Sequence, residues 1–120
     1  MSYRYFKDAD FMQASPSCSI EDMEPDFLHR LDVARFHAGV PFRVNSAFRS
    51  VDHEIKKGRA GTSSHTTGKA VDIRATGSRE RYQIIHGLLT AGFTRIGVAS
   101  TYIHADYDES KDQHVIWNYK

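Results

Sequence analysis

Two histidines and two acids stand out as residues able to do chemistry. His65 lies in a polar Ser/Thr/Gly stretch, TSSHTTGKAVDIRA (62–75), seven residues ahead of Asp72, which falls inside an apolar run. His104 lies in YIHADYD (102–108), with Asp106 two residues on. Imidazole nitrogen and carboxylate oxygen are good zinc ligands, and a hydrolytic zinc site needs three protein ligands and an open position for water. His65, Asp72 and His104 make such a trio. Polar side chains directed inward from neighbouring strands are costly unless paired or bound to a metal. A plainer account also fits: a core histidine bonded to a backbone carbonyl, or an acid bonded to loop amides. Spacing alone leaves both accounts open, because the three residues do not form one compact motif.

The elements that must position these residues follow from periodicity and punctuation. At 120 residues the chain is one domain, 1–120, too short to divide into two proper cores. Residues 1–19 read as irregular, with Tyr3, Tyr5, Phe6 and Phe11 as aromatic anchors. In SIEDMEPDFLHRLDVARFHAG, Pro25 suits a first helical turn and Gly39 a stop, with Phe27, Leu28, Leu31, Val33 and Ala34 on one apolar face. PFRVNSAF alternates Phe42, Val44 and Ser46 against Arg43 and Asn45, as a short strand does. A long loop with a helical turn near 53–57 leads to the strand KAVDIRA. Ser78 caps a helix through Ala91, with Tyr82, Ile85, Leu88 and Leu89 inward and Gly92 ending it. FTRIGVA, YIHADYD and QHVIWNY read as three closing strands. Strands gathered after helices predict an α+β domain: a mostly antiparallel sheet with two main helices.

Composition narrows the function classes. Lys plus Arg number 16 and Asp plus Glu 15, so nothing favours nucleic acid as a partner. The run Lys56-Lys57-Gly58-Arg59 reads as a solvated loop. A lone cysteine, Cys18, excludes an intrachain disulfide or a multi-cysteine metal site and reads as a small packed side chain. No apolar run approaches the roughly 20 residues that span a bilayer, so no membrane insertion is expected. The opening MSYRYFKDADF shows no secretory leader, which predicts synthesis in the cytoplasm. Oligomeric state is not legible.

Three segments together carry a resemblance. Ser46-Ala47-Phe48-Arg49, then Ser63-Ser64-His65-Thr66-Thr67-Gly68-Lys69-Ala70-Val71-Asp72, then Gly92-Phe93 and His104-Ala105-Asp106 follow one pattern in order. That pattern resembles the zinc D-alanyl-D-alanine carboxypeptidases, a group related to vancomycin-resistance dipeptidases, phage endolysins and the hedgehog signalling domain. The motif-bearing core covers about 41–108. The resemblance implies one zinc ion on His65, Asp72 and His104, and Arg49 on a substrate carboxylate through its planar pair of donors. It also implies hydrolysis of a peptide bond in bacterial peptidoglycan, with a zinc-activated water as nucleophile.

In one respect the chain departs from the pattern. Relatives place an acid a few residues before the last histidine, whereas IGVASTY (96–102) has none. Asp106 shares a strand face with His104 and is the available carboxylate, either as general base or as the group that holds a ligand histidine in its tautomer. Tyr102, on that same face, packs or donates to an oxyanion; His53, His86 and His114 are given no role. The implied setting is a phage or prophage lytic enzyme, or a virion component, acting on the cell wall. The alternative is a non-catalytic zinc-binding module of the same fold that binds wall peptide or a protein partner; a hydrolase of other D-amino-acid dipeptides would differ only in pocket shape.

Overall fold

The hydrophobic pattern resolves, in a computed structural model that describes residues 2–119, into two layers. One layer is a five-stranded sheet of β1 (Val44–Ser46), β2 (Ala70–Arg74), β3 (Arg95–Val98), β4 (Tyr102–Asp106) and β5 (Val115–Asn118), in the order β1-β2-β4-β3-β5. Pairing is antiparallel except for β3 with β5, which run parallel. Among the described residues the helices are α1 (Asp8–Met12), α2 (Pro25–Ala38), α3 (Val51–Lys56) and α4 (Ser78–Thr90), with 3₁₀ turns at Ile20–Asp22 and Ser64–Thr67. This is the expected α+β domain. None of these helices is long and apolar enough to cross a membrane.

Helix α2 begins at Pro25, with the Glu24 side chain accepting from the Phe27 amide, and ends where Gly39 adopts φ +70°. Phe27, Leu28, Leu31 and Ala34 are fully buried. Each large side chain of this kind contributes about 1.5–3 kcal/mol by leaving water. Phe27 meets Phe93 edge to face, with centroids 5.8 Å apart. Helix α4 packs on α2 at Gly87, where a β-carbon would lie 2.7 Å from Ala38 Cβ and 2.8 Å from Ala38 N. That close approach sets the rotation of α4. Ile84 and Leu88 face the core, whereas Tyr82 is 71% exposed and Leu89 is also outward, contrary to the expected face. Val33 likewise turns out to be exposed.

Two further segments differ from expectation. Within the N-terminal stretch, 8–12 coil into α1, which buries Phe11. The loop after Arg49 opens with the full helix α3, its first turn capped by Ser50 Oγ on the His53 amide (3.0 Å).

Val71, Ile73, Ile96, Ile103 and Ala105 turn one face of the sheet to the helices. The strand period of two then puts Asp72, Gly97, His104 and Asp106 on the other face.

Candidate metal centre

Antiparallel register sets Asp72 directly opposite His104 across β2 and β4. His65 reaches them from the 3₁₀ turn that leads into β2, whose start is capped by Ser63 Oγ on the His65 amide (3.2 Å). Gly68 ends this turn at φ +72°, against the backbone that enters α2. A β-carbon there would lie 2.5 Å from Asp22 O, and the Gly68 carbonyl accepts from the Glu24 amide at 3.0 Å. No residue with a side chain suits both the left-handed backbone and that contact. On the far side, Ser64 Oγ donates to Asp108 Oδ2 (2.7 Å) and Lys111 Nζ donates to Ser64 Oγ (2.9 Å). The histidine loop is thus pinned at both ends.

The three side chains converge on one point. His65 Nε2 lies 3.4 Å, and His104 Nδ1 2.9 Å, from the same oxygen, Asp72 Oδ1. Each imidazole has an acceptor on its other nitrogen: Ala47 O for His65 Nδ1 (2.6 Å) and Asp106 Oδ2 for His104 Nε2 (2.7 Å). A neutral imidazole has one N–H. Spent on those outer acceptors, it leaves His65 Nε2 and His104 Nδ1 as lone pairs aimed at an anion. Such an arrangement needs a shared proton or a cation. Zinc bonds of about 2.0–2.1 Å in a tetrahedral shell put ligand atoms about 3.3 Å apart, close to the 3.4 and 2.9 Å from the two histidines to Asp72. The donor set fits zinc, and among the described residues this trio is the group of His, Cys, Asp and Glu close enough to hold an ion, all within 4.8 Å.

Electrostatics agree with that convergence. Burial alone would raise the Asp72 carboxyl, but hydrogen bonds to His104 and His65 outweigh it and hold the group well below the usual carboxylate range. Burial would lower His104, yet Asp106 and Asp72 on its two nitrogens raise it.

Arg49 is built into the same unit. The register slips between Val44 and Ser46, which pair with Ile73 and Asp72, and this irregularity turns Ser46 to the metal side. Ser46 Oγ accepts from Arg49 Nη1 (3.1 Å), while the Arg49 amide donates to His65 O (3.2 Å). Arg49 Nη1 lies 4.0 Å from Asp72 Oδ2, and Nε lies 3.3 Å from Glu54 Oε1. Glu54, completely buried on α3, is also bonded by Arg59 Nη1 at 2.5 Å. The guanidinium therefore stands beside the centre and is ion-paired to Glu54 as well. Burial would raise Glu54, and the two arginines keep it low. Arg59 belongs to the run read as a solvated loop, so one of its charges works inward.

Asp106 is 1% exposed and lies across the His104 ring from Asp72. Its Oδ1 accepts from Arg95 Nε (2.7 Å) and from the Asp108 amide (3.1 Å). Both oxygens are therefore committed to hydrogen bonds on the side of His104 away from Asp72. Tyr102 is half-buried, its ring centroid 5.5 Å from Tyr119. His86 and His114 are exposed and His53 half-buried, and the Cys18 thiol is buried, which pushes its pKa up.

Sequence reading missed Arg95, the carbonyl of Ala47 and the aromatic pair Trp117 and Tyr119. The cross-strand pairing of Arg95 with Asp106 was the available signal, but it needs the register of β3 on β4.

No curated protein matches the chain. The family described as Peptidase M15 matches residues 7–106, a span that contains Arg49, the three converging side chains and Asp106, and the chain belongs to that family.

Proposed function

We propose that this chain is a zinc-dependent peptidase that hydrolyses a peptide bond in the stem peptides of bacterial peptidoglycan, as a carboxypeptidase or an endopeptidase. The observation that carries this reading is the convergence of two imidazole nitrogens on Asp72, with a guanidinium alongside, in a chain of the M15 family. When bound by His65, Asp72 and His104, zinc supplies Lewis acidity and a water of pKa about 7.

The chain's own residues do the positioning. Ala47 O and Asp106 keep the N–H of each ligand histidine on the outer side. Arg49, braced by Ser46 and Glu54, presents donors to a substrate carboxylate. Burial and the Asp72 charge raise the Tyr102 hydroxyl, so it stays a protonated donor at neutral pH.

The test is mass spectrometry of fragments released by the zinc-loaded chain from defined peptidoglycan, beside His65→Ala and Asp72→Asn. New termini made by wild type alone support the reading and name the bond; intact peptide despite stoichiometric zinc overturns it. That second result favours a non-catalytic zinc module, for which the committed oxygens of Asp106 and the acid-free IGVASTY segment speak.

A further inference from the structure

Beside the metal centre, on the face that carries His104, lie two aromatic rings that the catalytic reading does not use, Trp117 and Tyr119, in a row with the ring of Tyr102. In register, Gly97 of β3 pairs with His104 on one side and Trp117 of β5 on the other. The position between two large side chains therefore carries none. A β-carbon on Gly97 would fall 2.8 Å from Trp117 Cε2 and Nε1 and 2.7 Å from Tyr119 Cε2. The rings therefore lie low over β3, which brings the indole centroid to 5.5 Å from the His104 ring. Tyr119 continues the row to Tyr102, with centroid separations of 6.2 Å and 5.5 Å. Tyr119 is 41% exposed, so the row opens to solvent. Strand β5 also lies beyond residues 7–106, the span the family shares.

Resting on the peptidase reading, we infer that Trp117, Tyr119 and Tyr102 form the specificity wall of the cleft and take the small methyl side chains of the stem peptide's alanine residues, while Arg49 takes its carboxylate. Ring geometry favours methyl groups over a sugar. Trp117 meets Tyr119 at 66° and Tyr119 meets Tyr102 at 46°, which makes a faceted corner and not a flat platform for a pyranose. The Arg95 guanidinium sits 5.0 Å from the indole centroid, occupying one side of that ring. A faceted apolar corner is filled by a methyl group and left partly empty by glycine, a difference worth a factor of about ten in recognition.

Trp117 is the chain's only tryptophan, so its fluorescence reports on the wall with no label. The experiment titrates the zinc-loaded chain with L-Ala-γ-D-Glu-L-Lys-D-Ala-D-Ala, with the same peptide ending in Gly-Gly, and with the glycan disaccharide alone. In parallel, kcat and KM are measured for both peptides. The expected result is a Trp117 spectral change with the alanine peptide at about tenfold lower concentration than with the glycine peptide, and none with the disaccharide. Tyr119→Ala, at an exposed position, and Gly97→Ala, which displaces the rings without removing them, should each raise KM for the alanine peptide about fivefold to tenfold. Zinc content and kcat should stay within about twofold, and the preference over glycine should collapse. Hydrolysis with unchanged alanine preference in both variants overturns the wall and leaves the peptidase reading standing. A response to the disaccharide alone overturns it in favour of glycan. A spectral change with selective peptide binding but no hydrolysis supports the wall while the peptidase reading fails.

Discussion

Replacing Asp106 with asparagine separates zinc affinity from chemistry. The carboxylate accepts three hydrogen bonds: from His104 Nε2 on one oxygen, and from Arg95 Nε and the Asp108 amide on the other. Asparagine has one acceptor oxygen and an NH₂ group. Turned toward Arg95 and the Asp108 amide, that NH₂ would oppose two donors in a buried place. Turned toward His104, it opposes one, and a tautomer change removes the conflict. The second orientation wins, moving the His104 proton to Nδ1, where Asp72 Oδ1 waits at 2.9 Å. The apo fold survives, but the nitrogen needed for metal is capped. Losing a partner of this kind costs about 10–100-fold in metal affinity, or roughly 1.4–2.8 kcal/mol at 1.4 kcal/mol per tenfold. Competition with a chelating dye measures the zinc Kd, circular dichroism checks the fold, and turnover at saturating zinc completes the assay. The expected outcome is weakened zinc binding with turnover largely restored by excess zinc. Wild-type zinc affinity with turnover lost at saturation would refute the reasoning and make Asp106 the proton carrier.

Other perturbations have equally definite outcomes. Glu54→Gln leaves Arg49 and Arg59 facing a neutral amide; because Arg59 is half-exposed, the loss falls below that of a fully buried pair, at about 2–3 kcal/mol in urea denaturation, with a raised KM from a loosened Arg49. Gly87→Ala should lower the melting temperature by several degrees although alanine favours helix by about 1 kcal/mol, because the new carbon meets α2 backbone, which cannot move aside. Burial would raise the Asp108 carboxyl, but Ser110, Ser64 and Lys111 bring it to about 2 from an ordinary 3.8. Its folded value lies below its unfolded one, so its contribution is complete above about pH 4 and is lost as pH falls toward 2. Thermal melts between pH 2 and 5 should therefore show a steeper acid-side loss for wild type than for Asp108→Asn.

The candidate ligand trio was legible because each member is one residue in an ordered pattern, and KAVDIRA and YIHADYD already read as the strands that carry Asp72 and His104. What joins them was not. Arg95 finds Asp106 only through strand register, and Ala47 holds His65 with a main-chain atom that carries no residue signature. Helical periodicity gave α4 the right extent but not the right rotation, because Gly87 seats it on α2 and carries Tyr82 and Leu89 outward. The parallel strand β5 was read as a third closing strand, yet nothing in QHVIWNY announces that it passes β4 to pair with β3. The aromatic row depends on that choice of neighbour.

The two candidate ligand histidines differ in mutational fragility. His104 owes its tautomer to a side chain, so a single codon change at 106 can remove it. His65 owes its tautomer to the carbonyl of Ala47, which every amino acid supplies. Position 47 is fully buried and limits size, so selection there acts on volume and not on polarity. A saturation scan scored by zinc retention should therefore find glycine or serine tolerated at 47 and almost nothing tolerated at 106, although both positions perform the same service on the outer nitrogen of an imidazole.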